Sequence, residues 1–223
     1  MKIAEIDAKS REIVTDPEKL SEWCVEISPR KEGKLLQQIV LELKATMREH
    51  GLTSLSAPQI GYDKRVFCIK FGENNYKTFI NPMIDNNSNF EFAREHCTSI
   101  PGKEFIRPRF GKIHAYYTTP VDKVESVNLA GRAAIIFQHC LDHLNGLLLE
   151  DVGLELDELW DKATDDERAE VLKAYAESLD IKEKELKKEI AEDKELHDID
   201  EASKFINSVK SGETKLDNSL VEN

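Results

Sequence analysis

Two histidines, His139 and His143, lie four positions apart in the stretch FQHCLDHLNG, whose flanking residues predict a helix. Four positions are slightly more than one helical turn, so both imidazoles would face the same side of that helix. In the metal-hydrolase pattern H-E-x-x-H this spacing binds zinc, and the glutamate after the first histidine moves protons. Cys140 occupies the glutamate position here. The stretch therefore predicts a metal site whose proton-transfer residue has been replaced.

A metal site of this kind needs a third protein ligand, and Cys97 is the candidate. Thiolate sulfur and imidazole nitrogen commonly bind the same zinc ion. The other cysteines, Cys24, Cys68 and Cys140, are far apart in sequence and none forms a C-x-x-C pair. This spacing disfavours a disulfide framework and favours free thiols or metal ligands. We expect Cys24 and Cys68 to be small core residues.

The elements that would position these residues follow from hydrophobic spacing. Apolar residues three or four positions apart predict an amphipathic helix over 34–49 and a buried helix over 130–149, with Gly146 marking the end of the second. Alternating and β-branched segments predict several short strands, at residues 64–71, 76–84 (ending at an Asn-Pro turn signal), 90–98, 104–107 and 111–119. Short antiparallel strands packed around a central metal-binding helix give an α+β fold.

The segment after residue 152 differs from the rest of the chain. It contains no glycine or proline between Gly153 and Gly212, and its apolar residues form a thin stripe that predicts one or two long amphipathic helices. Thr164 and Glu167 fit a capping box at the start of such a helix. The sequence therefore predicts a metal-binding domain at residues 1–152 and an acidic helical extension at 153–223 with a frayed end over its last dozen residues.

Composition excludes several classes of protein. With 223 residues and 40% hydrophobic residues the chain can bury a real core. The net charge of −12 comes entirely from residues 151–223, which carry 23 acidic and 11 basic side chains. An acidic extension disfavours nucleic-acid binding and is a candidate surface for a protein partner. No signal peptide and no run of 18 apolar residues is found, so we expect a cytoplasmic protein that does not bind a membrane.

Three segments together resemble the peptide deformylase family. LTSLSAPQIG at 52–61 is similar to the family pattern G-x-G-L-A-A-P-Q-x-G, EHCTSIPG at 95–102 to E-G-C-L-S-x-P, and QHCLDHLNG at 138–146 to Q-H-E-x-D-H-L-x-G. The three occur in the family's order, and the resemblance covers roughly residues 30–152. The resemblance implies the peptide deformylase α+β fold.

The resemblance also implies a metal-dependent amide hydrolase with assigned residues. Cys97, His139 and His143 would bind one divalent metal ion, Fe(2+) or Zn(2+), and a water at the open position would attack the formyl carbon of an N-formylmethionyl peptide. The Gln59 side chain and the backbone N–H of Thr98 would stabilise the oxyanion. Substrate peptides would bind along Ser54, Leu55 and Gln59.

Several positions depart from the family pattern. Cys140 replaces the glutamate that accepts and passes on the proton, and Glu104 stands where many members carry an arginine that clamps the substrate. The other departures are His96 and Ser54 for glycines, Ser56 for an alanine and Thr98 for a leucine. Losing a positioned general base typically lowers the rate about 10²- to 10⁴-fold.

Three interpretations of Cys140 follow. A thiolate near a divalent cation can replace the base, since the cation lowers the pKa of the cysteine. The chain can instead be a deformylase-like pseudoenzyme that binds a metal and a peptide or protein partner without turnover. Cys140 can also join Cys97, His139 and His143 in a closed Cys₂His₂ structural site, although side chains of adjacent helical residues diverge by about 100°.

Overall fold

The computed structural model describes residues 9–192, with side chains described through residue 179. This part of the chain divides into two compact units, and the boundary lies between Gly153 and Leu154. The frayed end that we predict for the last dozen residues lies outside the described residues. None of the helices in the described range is both long enough and apolar enough to span a membrane.

The first unit contains an antiparallel sheet and four α-helices. In order across the sheet the strands are β1 (Ser54–Ser56), β2 (Val66–Lys70), β3 (Tyr76–Cys97), β4 (Ile100–Thr118) and β5 (Val124–Ala130). The helices are α1 (Pro17–Leu20), α2 (Gly33–Glu49), α3 (Arg132–Leu144) and α4 (Leu149–Val152), and a 3-10 helix, Ala57–Ile60, follows β1. The expected α+β fold is confirmed.

The strands differ from the prediction in length. Instead of four short segments, β3 and β4 form one long hairpin that ends in a turn at Thr98 and Ser99. The predicted strand end at Asn81-Pro82 is wrong, because a bulge between Ile80 and Met83 lets β3 continue past the proline. The same strand holds a second bulge farther along, between Ile84 and Asn86.

Asn81 shows how the chain accommodates that bulge. Its backbone is left-handed, with φ of 47°, a conformation that asparagine tolerates better than most residues. Its side chain accepts a hydrogen bond from the backbone N–H of Ile27 and donates one to the carbonyl oxygen of Ile27, both at 3.0 Å. The Asn81 side chain therefore ties the bulge to the segment that contains Ile27.

Both predicted helices of the first unit are confirmed. The predicted helix over 34–49 is α2, which begins one residue earlier. The predicted helix over 130–149 is α3, which is shorter because Gly131 precedes its first turn and Asn145 caps its last. Gly146, with φ of 67°, then turns the chain, as expected for a glycine just after a helix.

Helices α2 and α3 pack on opposite faces of β2. Val66 and Cys68 lie in the apolar cluster that contains the buried side chains of α2, whereas Phe67 and Ile69 lie in the cluster that contains those of α3. This division follows from the alternation of side chains along a strand. On the α3 side, the ring of Phe137 lies 5.0 Å from that of Phe67 in an edge-to-face contact that fixes the helix against the sheet.

A side-chain amide also ties α3 to β4. Gln138 accepts a hydrogen bond from the Phe110 backbone N–H at 3.0 Å and donates one to the Phe110 carbonyl at 2.8 Å. Gln138 is the residue just before His139, so these bonds and the Phe137 contact hold the histidine-bearing turn of α3 at a fixed distance from the sheet.

The second unit begins with the two-residue strand β6 (Leu154–Glu155) and contains the long helix α5 (Asp165–Glu192). The predicted capping box is confirmed. The Glu167 carboxylate accepts hydrogen bonds from the backbone N–H and the hydroxyl of Thr164, at 2.7 and 2.8 Å. In return the Thr164 hydroxyl oxygen accepts one from the Glu167 backbone N–H at 3.3 Å.

Candidate metal centre

The three predicted metal ligands come together between β3 and α3. Cys97 is the last residue of β3, and His139 and His143 lie on successive turns of α3. One potential ligand atom from each residue lies within 4.8 Å of the other two. The Cys97 sulfur is 3.2 Å from Nε2 of His143, and the two imidazole ring centres are 5.0 Å apart. Cys97 and His143 are buried, and His139 is half-buried.

A buried carboxylate orients the first histidine. Nδ1 of His139 is 2.9 Å from an oxygen of Glu95, two residues before Cys97 on the same face of β3. Arg109 on β4 donates two hydrogen bonds to the same carboxylate, at 2.6 and 2.9 Å, and a third to Asp142 at 2.6 Å. Arg107 also pairs with Asp142. Because Glu95 contacts Nδ1, the other ring nitrogen of His139, Nε2, is available to face Cys97.

The charges in this network set the protonation of the site. Burial by itself raises the pKa of Glu95, but Arg109 and His139 outweigh it and lower this pKa to about 2. Burial likewise raises the pKa of the Cys97 thiol, yet hydrogen bonds from His139 and His143 lower it to about 5. Burial lowers the pKa of His139, but Cys97 and Glu95 raise it to about 9. Cys97 is therefore held as a thiolate at neutral pH.

These residues fit a divalent metal ion. The donor set is one thiolate and two imidazoles, which suits zinc and similar first-row metals. Metal binding needs a deprotonated cysteine, which the site already provides, and neutral imidazoles, so His139, whose pKa is raised, would release its proton as the ion binds. A carboxylate behind a ligating histidine is the usual outer partner that fixes the orientation of the imidazole. Among the described residues, Nδ1 of His143 is buried without a hydrogen-bond partner, so this ring has no contact that would hold Nε2 away from Cys97.

Gln59 lies on the 3-10 helix with its side-chain amide directed at the same place. Its Nε2 is 3.7 Å from the Cys97 sulfur and 3.2 Å from the hydroxyl oxygen of Ser99. The side chain is buried. Thr98, the other predicted oxyanion donor, lies in the exposed turn between β3 and β4. The structure thus brings a side-chain N–H donor beside the cysteine ligand.

Strand β1 presents Ser54 and Leu55 on opposite faces. Leu55 is fully buried in the apolar cluster that contains the α2 side chains. Its side chain therefore packs in the core, and a substrate contact from Leu55 would have to come from its backbone. Ser54 is half-buried, and its side chain is hydrogen-bonded to Cys140.

Cys140 does not join the ligand group. Within the part of the chain that the structure describes, the three-residue group of possible metal ligands contains Cys97 and the two histidines but not Cys140. The Cys140 side chain is 1% exposed and packs in the apolar cluster beneath α3. Burial raises its pKa to about 12, against a smaller lowering by the Ser54 hydrogen bond. Cys140 is therefore a neutral thiol at physiological pH.

Two further departures from the family pattern, Glu104 and His96, lie outside the ligand group. Glu104 forms an ion pair with Arg94. His96 is exposed, as expected for a residue whose neighbours on the strand, Glu95 and Cys97, face inward.

Sequence reasoning missed Ser99 and the two arginines. Arg107 and Arg109 alternate along β4, and that spacing, with Glu95 and Asp142 as acidic candidates, was the available signal for a buried ion network. Ser99 follows the cysteine ligand by two positions, and no spacing rule connects it with Gln59.

Comparisons with known proteins find peptide deformylases. A family model described as "Polypeptide deformylase" matches residues 10–156. The peptide deformylase of Thermotoga petrophila is 36% identical over 119 residues, which cover 52% of this chain and 71% of that protein. The peptide deformylase of Lachnoclostridium phytofermentans is 33% identical over 148 residues, which cover 63% of this chain and 85% of that protein.

Solved structures of peptide deformylases are also similar to this chain. The crystal structure of peptide deformylase from Thermotoga maritima has a TM-score of 0.59 at 31% identity and covers 65% of this chain and 97% of its own. An actinonin-bound class I type b peptide deformylase from Acinetobacter baumannii has a TM-score of 0.59 at 25% identity and covers 65% of this chain and 98% of its own.

Proposed function

The chain belongs to the peptide deformylase family, and we propose that its metal centre removes the formyl group from N-formylmethionyl peptides at a reduced rate. The convergence of Cys97, His139 and His143, with the Gln59 amide beside them, carries this proposal. The boundary after Gly153 supports placing the metal-binding domain at residues 1–152. The acidic extension, 153–223, then remains as a surface for a protein partner.

Each residue would have a limited task in the reaction. Cys97 as thiolate and the two neutral imidazoles would hold one divalent ion, Fe(2+) or Zn(2+), which supplies Lewis-acid chemistry when bound. The Nε2 of Gln59 and the backbone N–H of Thr98 would donate to the formyl oxygen as it gains negative charge. Glu95 would keep His139 oriented through Nδ1.

Proton transfer is the step that this chain performs poorly. In the family pattern a glutamate at position 140 takes a proton from water and gives it to the leaving amine. A buried thiol that is hydrogen-bonded to Ser54 cannot do so effectively, and the loss of such a base costs about 10²- to 10⁴-fold in rate. A reduced rate therefore follows from one substitution, with the ligand group intact.

The same residue favours a second candidate, a deformylase-like pseudoenzyme. Cys140 packs in the core and contacts Ser54, itself a departure from the family pattern. In this alternative the pocket binds a metal and a peptide or protein N-terminus without hydrolysis. A closed Cys₂His₂ centre is disfavoured, because Cys140 stays outside the ligand group among the described residues.

Restoring the glutamate tests the proposal. The metal-loaded parent, Cys140→Glu and Cys140→Gln would be assayed anaerobically on formyl-Met-Ala-Ser. Gln matches Glu in size but is not a base, so it controls for the new volume at a buried position. We expect measurable turnover in the parent and a gain of about 10²-fold or more in kcat for Glu over Gln.

The other outcomes separate the alternatives. A parent with no turnover and an active Cys140→Glu variant would identify a pseudoenzyme with an intact pocket. If neither protein turns over while metal content and unfolding transitions match, the chain does not bind this substrate productively and the deformylase proposal is wrong.

A further inference from the structure

Ser56 donates two hydrogen bonds to the Gln59 side chain. The Ser56 backbone N–H donates to Oε1 of Gln59 at 3.0 Å, and the Ser56 hydroxyl donates to the same oxygen at 2.9 Å. Both residues are buried, with Ser56 at 0% exposure. The backbone N–H and the hydroxyl of Ser56 thus both donate to the same amide oxygen.

These bonds determine which end of the Gln59 amide faces the metal ligands. An N–H can only donate, so the Ser56 backbone N–H requires the amide oxygen, not the NH₂ group, on its side. The hydroxyl adds a second donor to that oxygen. The opposite end of the amide, Nε2, must then face the Cys97 sulfur and the Ser99 hydroxyl, at 3.7 and 3.2 Å.

The hydroxyl is a feature of this chain. Ser56 stands where the family pattern has alanine, which supplies the backbone N–H but no second donor. With the backbone bond alone, the terminal torsion of a glutamine is broad, so the amide plane can rotate about that bond. Two donors on one oxygen, one from the backbone and one from the side chain, restrict this rotation.

We propose that Ser56 is a positioning residue whose hydroxyl locks the Gln59 amide with Nε2 directed at the metal centre. The contribution of Ser56 to catalysis rests on the oxyanion role proposed for Gln59. The lock compensates in part for the missing base, because a donor fixed in advance costs no reorganisation when charge develops on the formyl oxygen.

A purely structural role is the competing explanation. Ser56 caps the 3-10 helix, and replacing an N-cap serine by alanine costs stability, whereas glycine costs much less. Both substitutions delete the hydroxyl. Capping alone therefore predicts that Ser56→Gly behaves like the parent, and positioning predicts that Ser56→Gly and Ser56→Ala behave alike.

The test reads the Gln59 side chain directly by NMR in the zinc-loaded, isotope-labelled full chain. We expect the Gln59 NH₂ protons to show nuclear Overhauser contacts to the Cys97 side chain in the parent. These contacts should weaken to the same extent in Ser56→Ala and Ser56→Gly and persist in Ser56→Thr, which keeps the hydroxyl. Unchanged contacts in both variants that lack the hydroxyl would overturn the proposal, as would a loss confined to Ser56→Ala.

A kinetic measurement connects the lock with turnover. On formyl-Met-Ala-Ser, kcat should fall about 3- to 10-fold in Ser56→Gly with KM unchanged, the effect expected for one neutral hydrogen bond. The same change made in a Gln59→Ala background should have no effect, because Ser56 acts through Gln59. An equal loss in both backgrounds would overturn the proposal. The NMR contacts do not depend on hydrolysis, so they decide the positioning role even if the deformylase proposal fails.

Discussion

At the scale of single residues, Glu95 connects the ligand group to the rest of the first unit. One carboxylate accepts both hydrogen bonds from Arg109 and contacts Nδ1 of His139. Arg109 is almost fully buried, so its charge depends on Glu95 and Asp142 for compensation. We therefore expect the same carboxylate to stabilise the fold and to orient His139 at the proposed metal centre.

Removing the charge of Glu95 should lower both the stability of the fold and the affinity for a metal ion. In Glu95→Gln the buried Arg109 loses its bidentate partner, and we expect the free energy of unfolding to fall by about 3 to 5 kcal/mol in urea titrations. Affinity for zinc, measured by competition with a chelator, should fall about 10- to 100-fold, because His139 loses its orienting partner.

Glu104→Gln is the matched control. Glu104 pairs with Arg94 between the same two strands, but its side chain is 45% exposed. Its loss should cost less than about 1 kcal/mol and leave zinc affinity unchanged. Equal effects of the two substitutions would show that Glu95 has no special connection with the metal centre.

At the scale of elements, helix α3 is held at its carboxyl end by the N-terminal segment. The Leu144 carbonyl accepts hydrogen bonds from the Cys24 backbone N–H at 3.0 Å and from the Arg65 guanidinium at 3.1 Å. Gly146 lies directly against this segment, since a Cβ there would be 2.3 Å from the Ser21 carbonyl oxygen. His143 is the residue before this anchored end.

Gly146→Ala should therefore be more harmful than an alanine at another left-handed glycine. Gly61 has φ of 85° and open space around its would-be Cβ. Gly61→Ala should cost about 1 to 2 kcal/mol for the backbone alone. Gly146→Ala should cost about 1 to 3 kcal/mol more from the clash with Ser21. Denaturant unfolding of both variants measures the difference in the free energy of unfolding. Equal losses would mean that the segments that contain Ser21 and Gly146 can move apart at little cost.

The start of α5 gives a pH prediction. Hydrogen bonds from the backbone and side chain of Thr164 hold the pKa of Glu167 below its usual range. A carboxyl pKa that is lower in the folded chain than in the unfolded chain stabilises the start of α5 at pH values above the unfolded pKa. This stabilisation is lost as the pH falls through the folded pKa. A carboxyl-carbon NMR titration should place the Glu167 midpoint below those of the exposed glutamates, and Thr164→Ala should raise it. An unchanged midpoint in that variant would show that the Thr164 hydroxyl does not contribute to the lowered pKa.

The sequence predicted elements whose spacing is local. The apolar spacing of α2, the two histidines one turn apart and the Thr164–Glu167 box each depend on a few neighbouring residues, and each is found. The long hairpin of β3 and β4 was not predicted, because bulges and an internal proline resemble strand ends when read along one segment. The Arg109 network was missed for a related reason. Its partners are 14 and 33 positions away, and only the fold brings them together.

At the scale of the whole molecule, the chain combines a family domain with an additional acidic segment. The family match ends at residue 156, whereas α5 continues to Glu192. Residues 1–150 carry equal numbers of acidic and basic side chains, so almost all of the excess negative charge lies in the second unit. Substitutions that affect the metal centre are therefore expected to act within the first unit.

The central claim is that one divalent ion is bound by a single thiolate and two imidazoles, and cobalt substitution tests it most directly. Co(2+) bound to thiolate gives a charge-transfer absorption whose intensity grows with the number of thiolate ligands. We expect one cobalt per chain with the intensity of one thiolate, lost in Cys97→Ser and unchanged in Cys140→Ser and in Cys68→Ser. A band that survives in Cys97→Ser, or that weakens in Cys140→Ser, would contradict this ligand set.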